Sequence, residues 1–426
     1  MYHRNLTLRN VLQPKRYSKD QHGIEVRHID PKALYILEKL RASDYTAYLV
    51  GGSVRDLLLG KKPKDFDIST SAKPEEIKRL FPSSILIGKR FRLAHVRFGK
   101  KVIEVSTFRS GDIENEQLIT EDNIWGSPEE DVLRRDFTIN GLFYDSNTEE
   151  IIDFVGGYPD IEKKLLRAIG QPFLRFKQDP VRMIRCLKFQ ARFGLEVEEE
   201  ARLALIDCKG EILKSAQARV LEEMLRMLES GSSKNFFRLM TDHGLMQQLL
   251  PSIAEYLETQ EGNEIYSYLD EADGTLKEPH NPNLERPVLL ACLAFPLLEK
   301  HLKIHFTDRD KTPHLGDIYK EANIVIDEVF HTFFKIPRRL KIRTLSILIS
   351  QFRITPFQKK KTMRIRIPRA PEFHLALQFF DLRCRLEPGL QELHGQWKEA
   401  YEKIADTLPA PRKRGRRPRR NPRPRK

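Results

Sequence analysis

The 426-residue chain holds only four cysteines, Cys186, Cys208, Cys292 and Cys384, widely spaced and with no CxxC pair. That scarcity argues against a disulfide framework or a cysteine-based zinc site and for a reducing compartment. Each cysteine reads as a small buried apolar residue. Long apolar runs are missing as well. The longest, Val288 to Phe295 extended by Leu297 and Leu298 past Pro296, is too short to span a bilayer and suits a buried helix. No apolar h-region marks the first residues, so secretion is not expected. Residues 1–19 contain no acid and five Lys/Arg and read as a frayed basic arm. There is no internal repeat of fixed period, and the C-terminal half lacks the adjacent His-Asp pair of a fused phosphohydrolase. The expectation is a cytoplasmic protein with no membrane partner.

What is present allows large cores. Hydrophobic residues make up 40% of the chain, with 24 Phe and 12 Tyr, and its length accommodates about two to four domains. The net charge of +14 is unevenly placed: residues 411–426 carry ten Lys/Arg and no acid, which leaves +4 for everything else. Such a tail has too little apolar content to fold alone and is expected to be disordered. Arginine predominates in it, and arginine favours bidentate phosphate contact, so Arg412, Arg414, Arg416, Arg417, Arg419 and Arg420 are candidate contacts to a polyanion, nucleic acid first, with a solubilising tail as the weaker alternative.

The most informative stretch is Tyr48–Thr70, YLVGGSVRDLLLGKKPKDFDIST. It predicts a strand, a turn at Gly51-Gly52, a short helix Val54–Leu59 and a second strand. Strand alternation puts Asp65 and Asp67 on one face and Phe66 and Ile68 on the other. Two carboxylates on one sheet face are costly without a divalent cation between them; the plain alternative is a solvated edge strand. A glycine turn into a helix offers N–H groups to an anion, and Arg55 adds a charge beside them. Downstream, Ala94–Phe98 and Lys101–Thr107 read as strands. Glu104 falls on a polar face where it could join the first two acids, or be a solvated strand acid.

Residues Arg109–Glu130 read as a loop, Asp131–Tyr144 as a helix, and Ile151–Gly157 as a strand entering a second Gly-Gly turn. Beyond residue 160 strand signals vanish. Pro31–Ser43 and the segments Gln178–Phe193, Val197–Ile206, Ala218–Leu228, Asn235–His243, Arg286–Leu302, Ile318–Phe334, Leu340–Gln351 and Glu372–Leu386 show helical periodicity. Asp179-Pro180 suits the start of the Gln178–Phe193 helix, with Asp179 as N-cap and Arg182 and Arg185 along one side.

The ordered set Gly51-Gly52-x-Val54-Arg55-Asp56, Asp65-x-Asp67, Arg134-Arg135-Asp136-Phe137-Thr138-Ile139-Asn140, Asp153 with Gly156-Gly157, and Asp179-Pro180-x-Arg182-x-x-Arg185 resembles the class II template-independent nucleotidyltransferases. These are the CCA-adding enzymes and bacterial poly(A) polymerases of the polymerase-beta-like superfamily. Ile87–Val96, the helical region Arg219–Pro251 and the basic tail are similar to the poly(A) branch. Gln178, Gly141 and Lys188 depart from the common pattern without removing a proposed catalytic group.

The resemblance implies an α+β fold: a nucleotidyltransferase head with a small mixed sheet, then an all-α body and a disordered basic tail. In residue terms this is an arm (1–30), the head (31–160), a nucleobase-recognition and neck region (161–255), a helical RNA-binding body (256–405) and the tail (406–426). It implies a monomeric polynucleotide adenylyltransferase that extends RNA 3′ ends with AMP from ATP, working with RNA-decay proteins; the alternative is a tRNA CCA-adding enzyme. Two Mg²⁺ ions would sit at Asp65 and Asp67. Asp136 is treated as catalytic in the family, whereas from the residues alone it could equally orient Arg135, and Glu104 competes as third metal-binding carboxylate. Gly51, Gly52, Arg55, Arg135 and Arg185 would hold the nucleotide, Asn140 its sugar, and Asp179 and Arg182 its base. Asp179 retains the simpler reading of a helix cap.

Overall fold

The structure, a computed structural model, describes residues 13–88, 93–110, 124–278, 283–357, 365–368, 370 and 372–404. These fall into two compact units: one up to Val220 with Asp242–Leu245, the other Leu221–Thr241 and from Met246 onward.

In the first unit eight strands form one mixed sheet: β1 (Lys15–Tyr17), β2 (Ala47–Val50), β3 (Asp67–Thr70), β4 (Ile85–Ile87), β5 (Leu93–Phe98), β6 (Lys101–Thr107), β7 (Leu142–Asp145) and β8 (Glu150–Asp153). Their order is β1-β8-β7-β2-β3-β6-β5-β4. Neighbours are antiparallel except β3 and β6, which run parallel with Asp67 opposite Glu104. The two-residue period sorts the faces as expected: Ile68, Val105 and Ile103 are buried, while Asp67 and Glu104 stay partly accessible. The helix Pro31–Arg41 starts where the Asp30 carboxylate accepts from Lys32 N–H, with Pro31 at its first position. It buries Ala33, Ile36, Leu37 and Leu40 beside β2 and β3.

Several expectations are corrected. The basic arm is not frayed from Lys15 on, because β1 pairs with β8 at the sheet edge. Asp131–Tyr144 is not a helix: a short helix Pro128–Leu133 ends, a 3-10 turn spans Thr138–Asn140, and Leu142–Tyr144 belong to strand β7. Leu142, Phe143 and Tyr144 are all fully buried, and aromatic residues suit a pleated, buried strand. The Arg109–Glu130 loop is bounded by paired two-residue strands, Arg109–Ser110 and Ile124–Trp125, and its end already belongs to a helix capped by Ser127 and Glu130. A short parallel pair, Leu165–Leu166 with Glu196–Val197, lies beyond residue 160. Asp179 is not an N-cap: it ends an unexpected helix, Pro172–Gln178, and the next helix, Val181–Phe193, starts after Pro180.

The second Gly-Gly turn has a clear cause. The Asp153 carboxylate, 3% exposed, accepts from the N–H groups of Val155, Gly156, Gly157 and Tyr158. A Cβ on Gly157 would sit 2.1 Å from the Thr138 carbonyl oxygen, so the close approach requires glycine.

The regular elements among the described residues of the second unit are all helices. Arg286–His305 is its axis, buried continuously from Pro287 to Leu298, and the helices Asn263–Lys277, Leu315–Phe330, Arg338–Ile354 and Phe373–Leu386 surround it. Asn263–Lys277, Pro251–Leu257 and Gln391–Glu402 were not anticipated. All four cysteines are unbonded and buried, and burial pushes the Cys384 thiol up to about 12. None of the helices among the described residues is long and apolar enough to cross a membrane. The tail, with Arg412, Arg414, Arg416, Arg417, Arg419 and Arg420, lies outside the described residues, as do residues 89–92 of the Ile87–Val96 stretch.

Candidate active site

The polar face of the sheet carries the acids. Asp65 is exposed just before β3, Asp67 opens that strand, and the parallel register sets Glu104 beside Asp67. Burial, then the Glu104 and Asp65 charges, push the Asp67 carboxyl up to about 6; Arg135 pulls the other way. Glu104 also faces His95, with Nε2 at 3.6 Å from Oε2 and the two residues opposite each other in β5 and β6. The three acids lie close enough for Asp65 and Glu104 both to act on Asp67. As donors they are all carboxylate oxygen, the set that suits a hard cation such as Mg²⁺. The raised Asp67 marks where added positive charge is favoured.

A second set of side chains closes over the glycine turn. Gly51 has φ +63 and ψ −124, a conformation only glycine adopts readily. Arg135 Nη1 lies where a Gly51 Cβ would meet it at 3.1 Å. The same guanidinium donates to the Asn140 carbonyl (3.3 Å), Ser69 Oγ (3.3 Å) and Asp131 Oδ2 (2.8 Å), so it spans from the turn to the acid face. Arg55 is only 5% exposed. It donates to Asn140 Oδ1 at 2.6 Å and to Asp56 Oδ1, and lies 4.9 and 4.6 Å from the ring centres of Phe189 and Phe193.

Asp136 stands behind this set rather than among the acids. Its carboxylate, 6% exposed, accepts from Phe137 N–H and Asn140 Nδ2, both at 2.9 Å, and pairs with Arg185 Nη2 at 2.9 Å. Burial raises its pKa, but Arg185 and Asn140 outweigh that and hold it below the usual carboxylate range. A chain of contacts thus runs Arg185–Asp136–Asn140–Arg55.

The expected base-recognition residues stay near one another, the Asp179 charge acting on Arg182, but each takes a different partner. Asp179 is held by Arg219, whose Nη1 and Nη2 donate to its two oxygens at 3.0 and 2.8 Å. Arg182 is 6% exposed and donates to the carbonyls of Arg175 and Arg134. Arg185 turns to Asp136. Sequence reasoning did not single out Arg219, His95, Arg109 or Phe189. Nor did it give Arg134 a role of its own, although Arg134 lies inside a motif already noted. Burial and the like charges of Arg109, Arg135 and Arg182 lower the Arg134 guanidinium to about 10, which makes this corner a strongly positive place beside the acids.

A glycine-turned helix set against carboxylates on neighbouring strands is the architecture of a template-independent nucleotidyltransferase head. Solved structures with the same fold include a CCA-adding enzyme of Bacillus stearothermophilus in complex with CTP: TM-score 0.60, 23% identity, 88% of this chain and 84% of that one covered. A Thermotoga maritima CCA-adding enzyme complexed with tRNA aligns with TM-score 0.51 at 21% identity over 80% of this chain and 75% of that one. Family models match residues 47–167 as a poly A polymerase head domain, 194–257 as a probable RNA and SrmB-binding site of polymerase A, and 315–426 as a polymerase A arginine-rich C-terminus. Poly(A) polymerase I of Escherichia coli O6:H1 is 36% identical over 94% of this chain and 91% of its own length. The Haemophilus influenzae protein of that name is 31% identical over 92% and 89%. A CCA-adding enzyme of Staphylococcus saprophyticus is 38% identical, but over 52% of this chain and 55% of its own. The chain belongs to the poly(A) polymerase family of nucleotidyltransferases.

Proposed function

We propose that the chain is a polynucleotide adenylyltransferase that adds AMP from ATP to RNA 3′ ends without a template. The RNA 3′ oxygen forms a bond to the α-phosphorus, the bond to the bridging oxygen breaks, and pyrophosphate leaves. The observation that carries this reading is near-full-length sequence similarity to poly(A) polymerase I, whereas two CCA-adding relatives match 52% and 69% of the chain in sequence.

Roles follow from the site. Asp65, Asp67 and Glu104 are the residues that would hold Mg²⁺. When bound, Mg²⁺ supplies electrostatic stabilisation of charge on the attacking and leaving oxygens. Asp65 and Asp67 are the catalytic carboxylates. Gly51 and Gly52 present backbone to the phosphates, Arg135 and Arg55 supply positive charge, and Asn140 meets the sugar. Asp136 acts through others, holding Asn140 and Arg185 in place, and so is a positioning residue. Asp179 accepts from the adenine amine, with Arg182 beside it and Arg185 at the base's rim. A carboxylate has lone pairs enough to keep Arg219 while doing so. Residues 31–160 serve as the head, 161–255 as base recognition and neck, 256–405 as the RNA-binding body and 406–426 as a basic RNA anchor, in a cytoplasmic monomer that meets RNA-decay proteins.

The test is a tailing assay with labelled ATP and CTP on tRNA and on a generic RNA. Long A-only tails on both are expected. A product that stops after three nucleotides and needs CTP overturns the reading in favour of a CCA-adding enzyme. Asp65→Ala should abolish addition; unchanged tailing would remove the metal assignment.

A further inference from the structure

The helix Arg286–His305 ends with His301 and His305 four residues apart, so both rings leave the same helical face. The neighbouring helix Leu315–Phe330 brings Glu321 to them. Glu321 Oε2 lies 3.4 Å from His301 Nδ1 and 3.1 Å from His305 Nδ1. One ligand atom from each of the three falls within 4.8 Å of the others. Bonds of about 2.0–2.2 Å from a tetrahedral ion give ligand–ligand edges of about 3.3–3.6 Å. The two Glu321 distances are already close to that spacing.

A second carboxylate supports the same reading. Glu328, two turns further along the Glu321 helix, places Oε2 at 3.3 Å from His301 Nε2. A carboxylate on the far ring nitrogen is the arrangement that fixes a ligating histidine's tautomer and orientation. A metal on Nδ1 and the Glu328 carboxylate on Nε2 would give both ring nitrogens a partner. His305 has a side chain 43% exposed, which leaves the fourth position open to water.

We propose that His301, His305 and Glu321 form a site for one imidazole-preferring divalent transition-metal ion, of the Zn²⁺ class, that ties the last turn of one helix to its neighbour. The site is separate from the carboxylates of the head, and its donor set selects a different kind of ion. The full chain, freed of metal and then saturated with Mg²⁺ to occupy the oxygen-only site, is titrated with Co²⁺ and, in parallel, with Zn²⁺ by calorimetry. One equivalent with the intense visible absorption of tetrahedral Co²⁺ is expected. The double variant H301A/H305A should lose that equivalent while keeping its circular dichroism and its Mg²⁺-dependent tailing. E328Q should keep the stoichiometry and weaken Zn²⁺ about 10–100-fold. Absence of the tetrahedral band in the wild type, an unchanged band in H301A/H305A, or full Zn²⁺ affinity in E328Q would overturn the proposal.

Discussion

Replacing Asp136 and Glu104 separately by alanine distinguishes a residue that organises the site from one that holds its cation. Asp136 satisfies Phe137 N–H and Asn140 Nδ2 inside the fold. Alanine strands both donors, at about 1–3 kcal/mol each. Arg185 adds less, because its side chain is 36% exposed and its charge can return to water. The middle of that range, about 4 kcal/mol, lowers the melting temperature of the first unit by about 8–16 °C, at about 2–4 °C per kcal/mol. Released from Asp136, Asn140 no longer holds Arg55 at 2.6 Å, so the turnover rate falls as well. Glu104, with a side chain 42% exposed and a like-charged neighbour in Asp67, stabilises the fold little. Its removal should leave the melting temperature in place and raise the Mg²⁺ concentration for half-maximal tailing about tenfold or more. The assay is thermal melting beside a Mg²⁺ titration of tailing, each variant compared with wild type. The reasoning fails if Asp136→Ala melts normally while its Mg²⁺ requirement rises, or if Glu104→Ala unfolds with its Mg²⁺ requirement unchanged.

Three further outcomes are expected. Asp67 has a folded-state pKa of about 6 against 3.8 when unperturbed, so its protonated form is the one the fold favours. That stabilisation is complete below about pH 4 and lost as pH rises to about 6, by up to about 3 kcal/mol; Asp67→Asn should flatten this part of the metal-free melting profile, and Mg²⁺ should stabilise wild type at neutral pH but not at pH 5. Asp179→Ala should cut the preference for ATP over CTP by about 1–3 kcal/mol in kcat/KM, while costing only about 0.2–1 kcal/mol of stability, because its partner Arg219 has a side chain 48% exposed; retained selectivity would return Asp179 to a structural role. Deleting residues 411–426, with ten Lys/Arg, should flatten the dependence of log affinity for single-stranded RNA on log salt by about 0.7 for each phosphate released, and an unchanged slope would make the tail a solubility device.

Much of the first unit was legible because strand and helix periods are local. Phe66 and Ile68, two residues apart, both turn inward although the strand itself begins only at Asp67, and Leu40 had to follow Ile36 and Leu37 inward. The motifs named the chemistry in the same way, since a glycine turn and alternating acids lie within about twenty residues of one another in the chain. Asp131–Tyr144 was misread because local propensity had to choose between helix and strand. The choice was made by partners distant in sequence: β2 and β8 on either side of β7, and the Phe137–Ala168 bridge.

The sequence by itself determined that Phe66 and Ile68 turn inward alongside the alternating acids. Tertiary structure alone decided that Glu104 stands beside Asp67, because a parallel register joins strands 37 residues apart. It also decided that Asp136 points back to Asn140 and Arg185, and that Asp179 meets Arg219, 40 residues away. A residue's chemistry is a local property. Its role depends on hydrogen-bond partners and burial that exist only once distant segments have packed together.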